Sequence, residues 1–181
     1  MNTCASPLAK HPNPPPRAFA LPARTARTRS LAVGLIGPGR VGGTLLDQLR
    51  AAQPRLLHER ALELRLRGVV ARQRMWLDCD DAELNGRHAG AQTWRPSDLD
   101  AFAAHVRGMG DHHALLVDCS ASEAVAAHYP RWLAAGVHVV TPNKLAGSGP
   151  LEHWHAIRAA CAQGARFRYE ATVCAGLPVV Q

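Results

Sequence analysis

Four things are scarce in this sequence, and each absence narrows what the chain can do. The first 30 residues contain no aspartate or glutamate, yet carry Lys10, Arg17, Arg24, Arg27 and Arg29. Most of the formal net charge of +7 therefore sits in that segment, and from residue 31 onward 16 basic residues face 14 acidic ones. A nucleic-acid surface needs its cations clustered on the folded body, so no nucleic-acid partner is expected. No apolar run approaches the length that spans a bilayer, and no membrane role is expected either. The five cysteines (Cys4, Cys79, Cys119, Cys161, Cys174) form no C-x-x-C pair and no metal-ligand spacing. Odd in number and scattered, they fit free thiols in a reducing cytoplasm. Lysine is nearly missing: residues 31–181 hold fifteen arginines and Lys144 alone.

The histidine pairs His112-His113 and His153-x-His155 lie at spacings that do not share a helical face, which suits surface residues better than a metal site. Residues 1–30, with Pro12, Pro14, Pro15, Pro16 and Pro22 and few large apolar side chains, cannot bury enough surface to offset ordering, and read as a disordered tail or linker. A targeting segment is the alternative, but the tail has no continuous apolar run, and its prolines break an amphipathic helix.

Strand and helix patterns alternate after the tail. Residues 31–36 read as a buried strand, 41–52 as a helix closed by Pro54, and 62–70 as a second strand. Residues 72–96 give no clear pattern. Ser97 reads as the cap of the next helix, with Asp100 its reciprocal acid. Residues 114–117 read as a strand, and Ser122 caps a helix running to Ala135 before Gly136. Then come a strand over 137–140, a helix over 150–163 and a final strand over 166–173. Such alternation, with no internal repeat, predicts one α/β domain over 31–181: a Rossmann-type, doubly wound, mainly parallel sheet.

Gly37-Pro38-Gly39-Arg40-Val41-Gly42 matches G-x-G-x-x-G at the first strand–helix junction. In such a turn the first glycine makes the bend, the second admits a pyrophosphate and the third lets the helix approach the strand. A glycine-rich turn is often only a turn; its position here favours a dinucleotide site. The end of the second strand chooses the cofactor, because an acid there would hold the ribose hydroxyls of NAD. After Val70 come Ala71, Arg72, Gln73 and Arg74, with no acid before Asp78. Arginine forks suit a 2′-phosphate, so NADP is favoured over NAD, although ordinary surface arginines would read the same way. Two further loops follow strand ends, Asp118-Cys119-Ser120-Ala121-Ser122 and Thr141-Pro142-Asn143-Lys144.

These pieces together, with Val33 to Gly42, Val117 to Ser120, Val139 to Lys144 and Glu170 to Pro178, resemble the N-terminal half of homoserine dehydrogenases in order and spacing. The stretch from Leu45 to Ala71 is similar to the dehydrogenase portion of bifunctional aspartokinase–homoserine dehydrogenases. The resemblance implies an oxidoreductase that reduces aspartate 4-semialdehyde to homoserine with NAD(P)H, on the route to threonine, methionine and isoleucine. It implies that Gly37, Gly39, Arg40, Val41 and Gly42 cradle the pyrophosphate, and that Ser120, more often threonine in the family, lies against the nicotinamide-side ribose. Lys144 would reach cofactor and substrate as the catalytic residue. Glu170, Val173, Ala175 and Leu177 would hold a monovalent cation such as sodium, mostly through backbone oxygens. Cys174 replaces the family's usual glycine beside them.

The family continues into a substrate and dimerisation domain that these 181 residues do not contain. The expectation is therefore an incomplete enzyme with little turnover by itself, forming homo-oligomers only when that domain is supplied. Two other readings stand beside it. One is a non-catalytic NAD(P)-binding or regulatory module. The other is a semialdehyde enzyme with Cys119 or Cys174 as nucleophile, for which no activating histidine is evident.

Overall fold

The computed structural model describes residues 28–77, 94–108 and 113–172, so the tail expected over 1–30 lies almost wholly outside the described residues. Strand β1 (Arg29–Ile36) opens the fold. Its side chains alternate between two buried clusters, Ala32 and Ile36 on one face and Val33 and Leu35 on the other. A strand buried on both faces belongs at the centre of a sheet.

Helix α1 (Arg40–Arg60) crosses over to β2 (Leu62–Val70), which pairs parallel to β1. The chain then doubles back through β3 (Arg74–Leu77) and β4 (Arg95–Pro96), both antiparallel to their neighbours. Helix α2 (Leu99–Arg107) leads to β5 (His113–Asp118) on the other side of β1. There follow α3 (Glu123–Ala126), α4 (Tyr129–Ala134), β6 (His138–Val140), α5 (Leu145–Ser148), α6 (Leu151–Ala162), β7 (Phe167–Arg168) and a 3-10 turn at Glu170–Thr172. The sheet order is β4-β3-β2-β1-β5-β6-β7, with β2, β1, β5, β6 and β7 parallel. This is the doubly wound, mainly parallel Rossmann-type sheet that the alternation predicts.

Leu46 of α1 covers one face, packing with Leu64, Leu66 and Val117. Phe102 and Val106 of α2, Trp132 and Leu133 of α4, and Ile157 of α6 cover the other. Each such side chain contributes about 1.5–3 kcal/mol when fully buried. The strand order reverses between β1 and β5, and open α/β sheets bind ligands beyond the strand ends at that point.

Several elements differ from the sequence reading. Helix α1 runs through Pro54 to Arg60 rather than stopping there. The proline costs the helix about 3 kcal/mol in the usual case. Here Leu56 packs against the buried cluster, and Gln53 Oε1 accepts from the Leu64 N–H at 3.1 Å, anchoring the continuation. Asp98, not Ser97, caps α2, its Oδ1 accepting from the N–H groups of Asp100 and Ala101 at 3.0 and 2.9 Å. A carboxylate serves this helix end well because its charge also opposes the helix dipole. The helix expected from Ser122 to Ala135 is two short ones, since Pro130 at the start of α4 cannot donate backward to continue α3. The last strand shrinks to Phe167–Arg168, and both α5 and the β3–β4 hairpin went unread.

Candidate nucleotide-binding site

The site begins where β1 ends. Gly37 has φ +82°, and a Cβ there would stand 2.9 Å from the backbone of Cys119 and Ser120. A Cβ on Gly42 would stand 2.3 Å from the Gly37 carbonyl oxygen, so the first turn of α1 passes hard against the strand end. Both are glycine because the fold itself requires it. Gly39 is different, since a Cβ there would meet nothing within 4 Å. It is also the N-cap of α1, makes no side-chain cap bond, and no acid follows in the first turn. Among the described residues no side-chain cap serves the leading N–H groups of this 21-residue helix, and no described atom beyond the chain neighbours stands within 4 Å of a Cβ at Gly39. Such a helix end suits an anionic group approaching the backbone closely. Val41 beside it is 61% exposed.

A cleft of about 550 Å³ runs across the strand ends, lined among others by Gly37, Ala71, Arg72, Ser97, Ser120 and Ser122. It brings together four of the expected cofactor contacts from three strand ends: Gly37 after β1, Ala71 and Arg72 after β2, Ser120 after β5. The two arginines after β2 border one depression of about 530 Å³ with Ala71 and Gln73, and differ beyond it. Arg72 faces the cleft, whereas Arg74 lies 4.9 Å over the Trp94 ring.

Beneath the Ser120 loop lies a buried polar network that the sequence reading missed. Asp118, fully buried, accepts from the Ser120 N–H at 2.7 Å, from the Tyr129 hydroxyl, and from Asn143 Nδ2 at 3.1 Å. Thr141 Oγ1 donates to the Asp118 carbonyl at 2.8 Å and accepts from the Asn143 N–H at 2.8 Å. Burial, and then the Asp118 charge, push the Tyr129 phenol well above its ordinary range. Tyr129 carried no local signal, being one apolar position of a helix. Asp118 and Asn143 lay in loops singled out for their neighbours.

Lys144 does not line the cleft. It is exposed at the start of α5 and borders a separate depression of about 540 Å³ with Trp154, Tyr169 and Thr172. Burial first, and Asp118 second, raise the Cys119 thiol, which is the reverse of what a nucleophilic thiolate needs. Cys174 lies outside the described residues. Glu170 is exposed on the 3-10 turn. A bond from its own backbone N–H, reinforced by Arg168 at 3.2 Å, holds its carboxyl below the usual range. Val173, Ala175 and Leu177 lie outside the described residues, and among those described no three His, Cys, Asp or Glu side chains gather as a metal cluster. No described helix is long and apolar enough to cross a membrane.

A Rossmann-type sheet whose switch point carries a glycine cradle, an uncapped helix and a cleft across three strand ends defines a dinucleotide-binding domain. The chain belongs to the homoserine dehydrogenase family, as its NAD-binding domain: the family profile "Homoserine dehydrogenase, NAD binding domain" matches residues 37–170. It is 40% identical over 156 residues to the chloroplastic bifunctional aspartokinase/homoserine dehydrogenase of Daucus carota, a match covering 83% of this chain and 17% of that protein. Among solved structures, a Candida auris protein of unknown function aligns at TM-score 0.70 and 24% identity, over 83% of this chain and 41% of the other. A hyperthermophilic archaeal homoserine dehydrogenase in complex with NADPH aligns at TM-score 0.62 and 19% identity, over 83% and 46%. These two likenesses bear on the fold alone.

Proposed function

We propose that this chain is the nucleotide-binding part of an NADPH-dependent homoserine dehydrogenase acting on aspartate 4-semialdehyde and homoserine, in the biosynthesis of threonine, methionine and isoleucine. The observation that carries the reading is Gly39, a glycine that no described neighbour demands, at a helix end that no side chain among the described residues caps. A diphosphate supplies the missing partner. The N–H groups of Arg40 and Val41 receive it, while Gly37 and Gly42 set the close backbone approach that forms the cradle. Ala71 borders the adenosine ribose, and the Arg72 guanidinium pairs with its 2′-phosphate. The Ser120 hydroxyl meets the nicotinamide-side ribose. When bound, the nucleotide supplies the hydride. Lys144 provides a compact cation near the reacting carbonyl, reached from its own depression rather than from the cleft floor.

For the cation site, the Glu170 carboxylate, one oxygen of which accepts from Arg168 at 3.2 Å, would join carbonyls of Val173, Ala175 and Leu177 around a sodium ion. The free thiols of Cys119 and Cys161 suit a reducing compartment such as the cytoplasm. Self-association is assigned to the family's substrate domain rather than to this sheet.

Calorimetric titration of the purified chain tests the cofactor assignment. NADPH binds, more tightly than NADH, and Arg72→Ala erases most of that preference. A folded sample that takes up neither nucleotide ends the enzymatic reading, and equal affinity for both removes Arg72 from it.

A further inference from the structure

Asp118 is a fully buried carboxylate that the cofactor contacts above leave unused. Burying an ionised group costs several kcal/mol unless donors surround it, and here three neutral donors do so from three segments. Oδ1 accepts from the Ser120 N–H of its own loop at 2.7 Å. Oδ2 accepts from the Tyr129 hydroxyl on α4 and from Asn143 Nδ2 of the loop after β6, the latter at 3.1 Å. Asn143 continues the connection, donating from Nδ2 to the Ser122 carbonyl at 3.0 Å and accepting on Oδ1 from the Leu145 N–H at 3.1 Å. The loop after β5 and the loop after β6 are thus one hydrogen-bonded body with Asp118 at its centre. An apolar side chain would fill the same space without a desolvation cost. It would give neither loop a fixed position relative to the other.

The general layout of dinucleotide sites says which part of a ligand this body meets; the cleft itself reaches Ser120, Ala121 and Ser122 after β5, while Asn143 and Lys144 lie outside its lining. In a dinucleotide site the adenosine half lies at the end of β2 and the pyrophosphate at the N-terminus of α1. The nicotinamide half must extend the other way, over the ends of β5 and β6. We infer that Asp118 is a positioning residue: through Tyr129 and Asn143 it locks the Ser120 loop and the Asn143–Lys144 loop into one platform for the nicotinamide half. The inference rests on the dinucleotide reading of the cleft.

Two probes separate the halves of the site. The full 181-residue chain is titrated with NADPH and with 2′,5′-ADP, which keeps the adenosine end and lacks the nicotinamide end. In Asp118→Asn one of the three donors loses its acceptor, because the amide offers an NH₂ where the carboxylate offered oxygen. NADPH affinity then falls by about tenfold or more, while 2′,5′-ADP affinity stays within about twofold, since only groups over β5 and β6 shift. Tyr129→Phe removes one donor, leaves the carboxylate paired with Asn143 and Ser120, and gives a smaller loss of the same selective kind. Val106→Ala, a core truncation under α2, lowers the melting temperature and leaves the ratio of the two affinities unchanged.

Equal losses for both probes in Asp118→Asn, or none, overturn the inference, as does a wild-type chain that gains nothing from the nicotinamide half. Should Asp118→Asn not fold, the selectivity of Tyr129→Phe decides alone. A wild-type chain that binds neither probe overturns the dinucleotide reading, and this inference with it.

Discussion

Among single residues, the three glycines of the cradle look equivalent in the sequence and differ in space. Gly42→Ala drives a methyl group to within 2.3 Å of the Gly37 carbonyl oxygen, so it lowers the melting temperature and disturbs the whole turn. Gly39→Ala meets, its chain neighbours aside, no described atom within 4 Å. Its thermal melt therefore matches wild type, while NADPH affinity drops at least about tenfold because the methyl occupies the phosphate's approach. Differential scanning fluorimetry and calorimetry on the two variants separate these effects. A Gly39→Ala protein that binds normally would remove the phosphate from this turn. The motif announced all three positions, but only the neighbours of each Cβ say which of them the fold itself requires.

At the level of elements, most of the α/β alternation could be read from apolar periodicity, because buried parallel strands are short apolar runs. The hairpin β3–β4 could not. Its strands are four and two residues long, β4 at the sheet edge and β3 next to it, too short for a period to show. One small element also carries a pH dependence. On β6, His138 Nδ1 accepts from the Arg166 N–H at 3.1 Å, and its ring stacks on His113 at 5.7 Å. Burial, then His113, then Arg166 lower its pKa, so the folded chain holds it neutral. An unfolded histidine titrates near about 6.5 and binds its proton first. The stability from neutral His138 is therefore complete above that pH and is lost as pH falls through the lower folded value. Thermal melts at neutral and mildly acid pH should show a smaller acid-induced drop for His138→Gln, which keeps an acceptor, than for wild type. An equal drop in both would assign the acid sensitivity elsewhere.

Taken whole, the molecule presents a cofactor cleft and, apart from it, a depression bearing Lys144. Hydride transfer needs the substrate carbonyl held against the nicotinamide in reactive geometry. The described residues bring a single lysine, on an exposed surface, toward that task. We expect the 181-residue chain to bind NADPH yet reduce aspartate 4-semialdehyde on the order of a thousandfold more slowly than a full-length family enzyme assayed beside it, the deficit being one of positioning. Turnover comparable to the full-length enzyme would show that this sheet and its loops complete the site unaided. Inactivity that persists when a family substrate domain is added would favour a purely nucleotide-binding module.

Most of the alternation of strands and helices, the glycine cradle and the family likeness were legible in the chain by itself, because each depends on residues close together along it. Periodicity and a six-residue turn need no distant partner. Folding alone decided that Asp98 rather than Ser97 caps α2, that Pro54 lies inside α1, and that Arg72 faces the cleft while Arg74 covers Trp94. It also decided that Asp118, Tyr129 and Asn143 share one buried network. Those facts depend on which groups from remote segments are desolvated together, and burial is a property of the packed sheet, not of neighbours in sequence.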